Sequence, residues 1–208
     1  MIRIYSVVFP LFYFSTEAFI HRIMRIVFYR SLLHSRCNLT ANERILYSFL
    51  ASKSIMNMDD AFAQDGKNLN YDTLGYIFED DSYVQMSYFS INTLSSILGI
   101  SRRCIIDSLN MLKMMRIIDG DSILIDRGFI DEGYFELDTE SGTKGELLMF
   151  YSFLKDKSSR YGYCIDTFKC KLAEQSDKST ISVKKMLNKL YKMGLIERMD
   201  DGKLKIKK

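Results

Sequence analysis

Apolar residues recur at helical spacing in two stretches that also share a short sequence. Ile45, Leu46, Phe49 and Leu50 fall on one face of the first stretch, and Leu147, Leu148, Tyr151 and Leu154 on one face of the second. Tyr47-Ser48-Phe49-Leu50 and Tyr151-Ser152-Phe153-Leu154 coincide at an offset of 104 residues. Thr40 with Glu43 makes a capping box, in which each side chain satisfies the other residue's backbone N–H, so the first helix is predicted to start near Ala41.

A second register, at an offset of 78, aligns Leu94 with Leu172, Ser95 with Ala173, Ile105 with Val183, Leu109 with Leu187 and Leu112 with Leu190. Ile117-Ile118 then falls on Leu195-Ile196. The two offsets differ by 26 residues, which assigns to the first copy an insert at about 57–83, rich in Asp, Asn and Gly and predicted to be a loop or hairpin.

Each copy thus reads as helix, short strand, helix, tight turn, helix and hairpin. In the first copy the strand is expected near Tyr83 to Ser87, with helices at Ile91 to Leu98 and Arg102 to Arg116 around a turn at Gly99. Two short strands follow around Asp119-Gly120-Asp121. In the second, Asp166 is the expected N-cap of a helix from Thr167 to Glu174, and Asp177 replaces the turn glycine. Ser179 to Met193 forms the third helix, ended by Gly194, and a hairpin closes around Asp200-Asp201-Gly202. The fold class expected is mainly α with small β-hairpins (α+β), built as two tandem winged helix-turn-helix units. The first unit spans 24–138 and the second 146–208, with a flexible linker at 139–145.

Phe28-Tyr29-Arg30-Ser31-Leu32-Leu33 followed by Leu39 to Leu50 resembles the start of winged-helix domains in plasmid and phage replication initiators. Leu187, Leu190 and Gly194-Leu195-Ile196 are similar to the tail of many bacterial winged-helix regulators. The resemblance covers about Met24 to Lys208. It implies a double-stranded DNA partner, with the third helix of a unit in the major groove and the hairpin on the backbone.

Charge sharpens this picture. The net +3 of the 208 residues hides a segregation: residues 39–145 hold nine basic and seventeen acidic side chains, residues 146–208 fifteen basic and eight acidic. A basic end beside an acidic middle suits contact with a polyanion, although a solvated Lys-rich helix face is the plain alternative.

In the second unit the candidate DNA-binding residues are Lys178, Ser179, Thr180, Ser182, Lys184, Lys185, Asn188, Lys189 and Lys192. The wing adds Arg198, Lys203, Lys205, Lys207 and Lys208. Ser182, Lys185 and Asn188 are expected to reach base edges, while Ile181, Val183, Met186, Leu187 and Leu190 are expected in the core. The first unit offers Ser101, Arg102, Arg103, Asn110 and Lys113, opposed by Asp107 and by a wing bearing Asp119, Asp121 and Asp126. Arg103 paired with Asp107 is the structural alternative there, and this unit could instead dock a protein.

Chemistry is thin. No phosphate-binding glycine loop, nucleophile elbow or zinc-protease motif occurs, so no enzyme is expected, nor any cofactor. Asp59-Asp60 and Glu79-Asp80-Asp81 read as a solvated acidic loop rather than a metal site. Cys37, Cys104, Cys164 and Cys170 form no CxxC pair and imply a reducing, cytoplasmic interior. His21 and His34 lie outside the repeat. The first 23 residues, apolar from Ile4 to Phe14 but broken by Pro10 and Glu17, are shorter in apolar length than a membrane span, so a membrane partner is disfavoured. They read as an extension, a misassigned start before Met24, or an anchor. The function expected is sequence-specific DNA binding in replication initiation of a plasmid, phage or mobile element, or in its control. A transcriptional regulator using the same surface and a protein-interaction module are the alternatives, and a homodimer stays open.

Overall fold

The first long helix begins where its cap dictates. Thr40 Oγ1 accepts the Glu43 N–H at 3.4 Å and Glu43 Oε2 accepts the Thr40 N–H at 2.8 Å, so two donors at the helix start are satisfied reciprocally. The computed structural model describes residues 26–34, 38–63, 81–126, 128, 133–158, 163–164, 169–200 and 203–207. In chain order it contains β1 (Val27–Tyr29), a 3₁₀ turn (Arg30–Leu33), α1 (Ala41–Ala63) and β2 (Ser82–Gln85). Then come α2 (Ile91–Leu98), α3 (Arg102–Met114), β3 (Ile118–Asp119), β4 (Ser122–Ile125) and β5 (Tyr134–Glu136). After a second 3₁₀ turn (Thr139–Ser141) follow α4 (Glu146–Ser158), β6 (Tyr163–Cys164), α5 (Lys169–Gln175), α6 (Thr180–Lys192), β7 (Ile196–Arg198) and β8 (Leu204–Ile206). The class is α+β, helices with small antiparallel sheets.

One order of elements occurs twice: helix, strand, helix, helix, hairpin. The three-stranded sheets have matching orders, β2-β4-β3 and β6-β8-β7, with every pair antiparallel. Individual bonds repeat as well. Ser101 Oγ accepts the Cys104 N–H at 3.3 Å to cap α3, and Ser179 Oγ accepts the Ser182 N–H at 3.2 Å to cap α6. The turn before each cap places one residue in the left-handed region, Gly99 at φ +62° and Asp177 at φ +48°. Both third helices end in a Schellman turn, with Ile117 N–H on Leu112 O at 2.9 Å and Leu195 N–H on Leu190 O at 3.1 Å. Finally, the Tyr47 hydroxyl donates to Leu124 O at 3.0 Å and the Tyr151 hydroxyl to Lys207 O at 3.3 Å. Leu124 and Lys207 are matching positions, because Ile118 pairs with Ile123 and Ile196 with Ile206.

The shared Tyr-Ser-Phe-Leu motif sits on helices that are buried all round rather than on one face. Residues 45–55 of α1 and 147–154 of α4 are buried without a break. A helix buried on every side must be covered on every side, and the few polar side chains in these runs are Ser48, Ser52, Lys53, Ser54 and Ser152. The second cover comes from β1 and β5, which pair antiparallel with Phe28 opposite Phe135. The Phe28 and Phe135 rings lie 5.3 Å apart and Phe135 and Phe153 lie 6.2 Å apart, so this small sheet joins β1 to α4 in one core.

Two further expectations change. The helix of the first copy continues through Ala63, so the start of the expected insert is helical. Met56 to Ala63 contains no Gly or Pro, and Asp59-Asp60 did not break it. β2 ends the insert, and residues 64–80 lie outside the described residues. The expected flexible linker is instead a pinned turn. Asp138 N–H donates to Ser152 Oγ at 2.9 Å, the Asp138 carboxylate pairs with Lys155, and Ser141 and Thr143 hydroxyls bond at 2.7 Å. Arg30 Nη2 and Asp156 Oδ2, 2.5 Å apart, tie the chain before α1 to α4.

Candidate nucleic-acid interface

Val183, Leu187 and Leu190 bury one side of α6, and the polar side chains between them must then point away. Thr180, Lys184, Lys185, Asn188, Lys189 and Lys192 are all exposed. Among the described residues Lys184, Lys185, Lys189 and Lys192 make no ion pair, so four cations stand unneutralised along a helix of 13 residues. That is a surface to which a run of phosphates is complementary.

Five candidates, Lys178, Ser179, Ser182, Lys205 and Lys207, are already engaged within the chain. Lys178 is not part of the exposed face: its side chain is 11% exposed and its Nζ lies 3.4 Å from Glu146 Oε1 in the first turn of α4. It follows the left-handed residue Asp177, which turns it back toward α4. Ser179 is occupied as the cap of α6, and its hydroxyl donates to Ser182 Oγ at 3.0 Å. At the β7–β8 hairpin, Lys205 and Lys207 both reach Glu197, at 3.6 and 2.9 Å. The Lys207 hydrogen bond holds the Glu197 carboxyl below the usual range. Arg198 is exposed, and Lys203 is half-buried. Burial raises the Tyr191 hydroxyl and the Arg198 charge offsets part of that rise. Lys208 lies outside the described residues.

Ile181 overturns an expectation. It was assigned to the core, yet it is 67% exposed, the largest exposure of any apolar side chain on α6. Its register partner explains why. The offset of 78 pairs Ile181 with Arg103, whose side chain is 92% exposed, and a position that points outward on one helix points outward on its repeat. That signal was present in the sequence.

In the first unit Ser101, Arg102, Arg103, Asn110 and Lys113 are all exposed along α3. Arg103 Nε sits 4.0 Å from Asp107 Oδ2, one turn on, so the structural alternative for Arg103 is present. The rest of the face is not basic: Ile106, Met111 and Met114 are exposed on it. Asp119 and Asp121 stand exposed at the tip of the β3–β4 hairpin, and Asp126 Oδ1 accepts the Gly128 N–H at 2.8 Å. The structure thus gathers the cationic candidates on α6 and its hairpin, and leaves α3 mixed.

Among the described residues no group of three His, Cys, Asp or Glu side chains is placed to hold a metal, and no helix is long and apolar enough to cross a membrane. The expected extension 1–23, the Asp166 cap, and the side chains of Asp59, Asp60, Glu79, Asp80, Cys164 and Cys170 lie outside the described residues. Cys104 is half-buried in α3 as a free thiol. Comparison with protein-family models, with curated proteins and with solved structures finds no match to the chain.

Proposed function

We propose that the chain is a tandem winged-helix protein that binds double-stranded DNA through α6 and the β7–β8 hairpin. The repeated helix-turn-helix with a hairpin closing each three-stranded sheet supports the winged-helix reading. The observation that carries the DNA reading is the row of four exposed, unpaired lysines on α6, the helix such a fold inserts in the major groove. Lys184, Lys185, Lys189 and Lys192 would neutralise phosphates, with Asn188 reaching a base edge. Binding, with no covalent chemistry, would then be the product.

The resemblance to plasmid and phage replication initiators favours replication initiation or its control, in the cytoplasm of a bacterium. A transcriptional regulator would use the same surface. One observation favours a division of labour: exposed Ile106, Met111 and Met114 make α3 better suited to a protein than to phosphates.

Titration against random-sequence duplex DNA at two salt concentrations tests the reading. The expected result is binding that weakens with salt at a slope of about −0.9 per phosphate contact, so roughly −3 to −5 in all. No binding at low salt would overturn it.

A further inference from the structure

We propose that Ile181 reads the C5-methyl group of a pyrimidine in the major groove, a role that rests on the duplex-binding reading above. Ile181 is the second residue of α6 and is the one large apolar side chain of that helix exposed beyond a third of its surface. Lys184 and Lys185 follow it one turn on and Asn188 two turns on, so all four share the outward stripe of the helix. Residues at the start of a groove-bound helix are the ones that meet base edges.

An isoleucine there offers no hydrogen bond to a base and no charge to a phosphate. The apolar feature that a major groove presents is the methyl on C5 of thymine, and 5-methylcytosine carries the same group. Asn188, with a donor and an acceptor on one amide, matches the N6 and N7 edge of adenine. Seven residues of helix rise by about 10 Å, or about three base-pair steps. The site read by this unit therefore carries a methylated pyrimidine and an adenine about three base pairs apart. The matching position on α3 holds Arg103, which faces Asp107 one turn on, so the methyl contact is particular to α6.

The test begins by selecting a duplex from a random pool with the full chain. Affinity is then measured on that duplex with each thymine replaced in turn by deoxyuridine, which removes only the methyl. For the wild-type chain the expected result is a loss of about fourfold at one thymine, the value of one buried carbon, and Ile181→Ala should bind more weakly and be indifferent to that replacement. If the selected position is cytosine, adding the C5-methyl should strengthen wild-type binding by a similar factor. Wild-type binding unchanged both on every uridine duplex and on every C5-methylcytosine duplex, equal sensitivity in Ile181→Ala, or a selection that enriches no sequence would each overturn the proposal while leaving duplex binding intact. Failure of the wild-type chain to bind any duplex at low salt would instead overturn the DNA reading itself. Because Ile181 is exposed, Ile181→Ala should keep the helix content of the parent, and circular dichroism checks that.

Discussion

Where α6 carries Lys184, Lys189 and Lys192, α3 carries Ile106, Met111 and Met114 at the matching positions, and Asp107 stands where α6 has Lys185. The two helices are otherwise held alike, by a serine cap at one end and a Schellman turn at the other. Their buried residues also correspond, Ile105 with Val183 and Leu112 with Leu190. Between the two helices these inward positions stay apolar, whereas the outward ones differ in charge and polarity. Burial constrains volume and apolarity at a few positions, whereas an exposed position is set by its partner. One arrangement of elements can therefore present a lysine-rich face on one helix and a mixed apolar and acidic face on the other.

The equivalence of the two units can be broken at their tyrosines. Tyr47→Phe and Tyr151→Phe should each cost about 1 kcal/mol, since each removes the hydroxyl that bonds a backbone carbonyl, Leu124 O or Lys207 O. For a chain of this length that is a fall in Tm of roughly 2–4 °C per variant. Thermal unfolding by circular dichroism measures both. A loss confined to one variant would mean that the repeated bond matters in only one unit.

A smaller effect sharpens the cationic side of the comparison. Glu197 holds Lys207 and Lys205 at the β7–β8 hairpin, and its carboxyl is lowered mainly by the Lys207 hydrogen bond. A lowered carboxylate contributes its attraction above the ordinary carboxylate range and loses it as pH falls through the lowered value. Glu197→Gln should release both lysines and tighten duplex binding by about two- to threefold at moderate salt. In the parent chain the same tightening should emerge only as acid protonates Glu197, and the variant should lack it. Fluorescence anisotropy across pH reads both.

Much of the local order was legible in the sequence. The Thr40–Glu43 box, the start of α3 after Ser101 and the left-handed residues Gly99 and Asp177 are dictated by neighbours in the chain, and sequence spacing reports neighbours. The cover over α1 and α4 was not legible, because β1 and β5 lie over a hundred residues apart and pair only through tertiary contact. For the same reason Asp138 to Gly145 read as a tether: its Gly and Ser content was visible, but its bonds to Ser152 and Lys155 were not. Lys178 looked like one more basic residue until its carboxylate partner 32 positions earlier was in place. For Ile181 the repeat itself carries the signal, since its register partner Arg103 is a charged residue at an outward position.

We propose that the α6 face binds duplex DNA through lysines at positions where α3 has none. Exchanging the matched residues tests it most directly, with Lys184→Ile, Lys189→Met and Lys192→Met in one variant, and Ile106→Lys, Met111→Lys and Met114→Lys in another. The expected result is a salt slope flattened by about 2–3 in the first variant, with affinity down by at least about tenfold, and a slope at least as steep as the parent's in the second. An unchanged slope and affinity in the first variant would contradict the account.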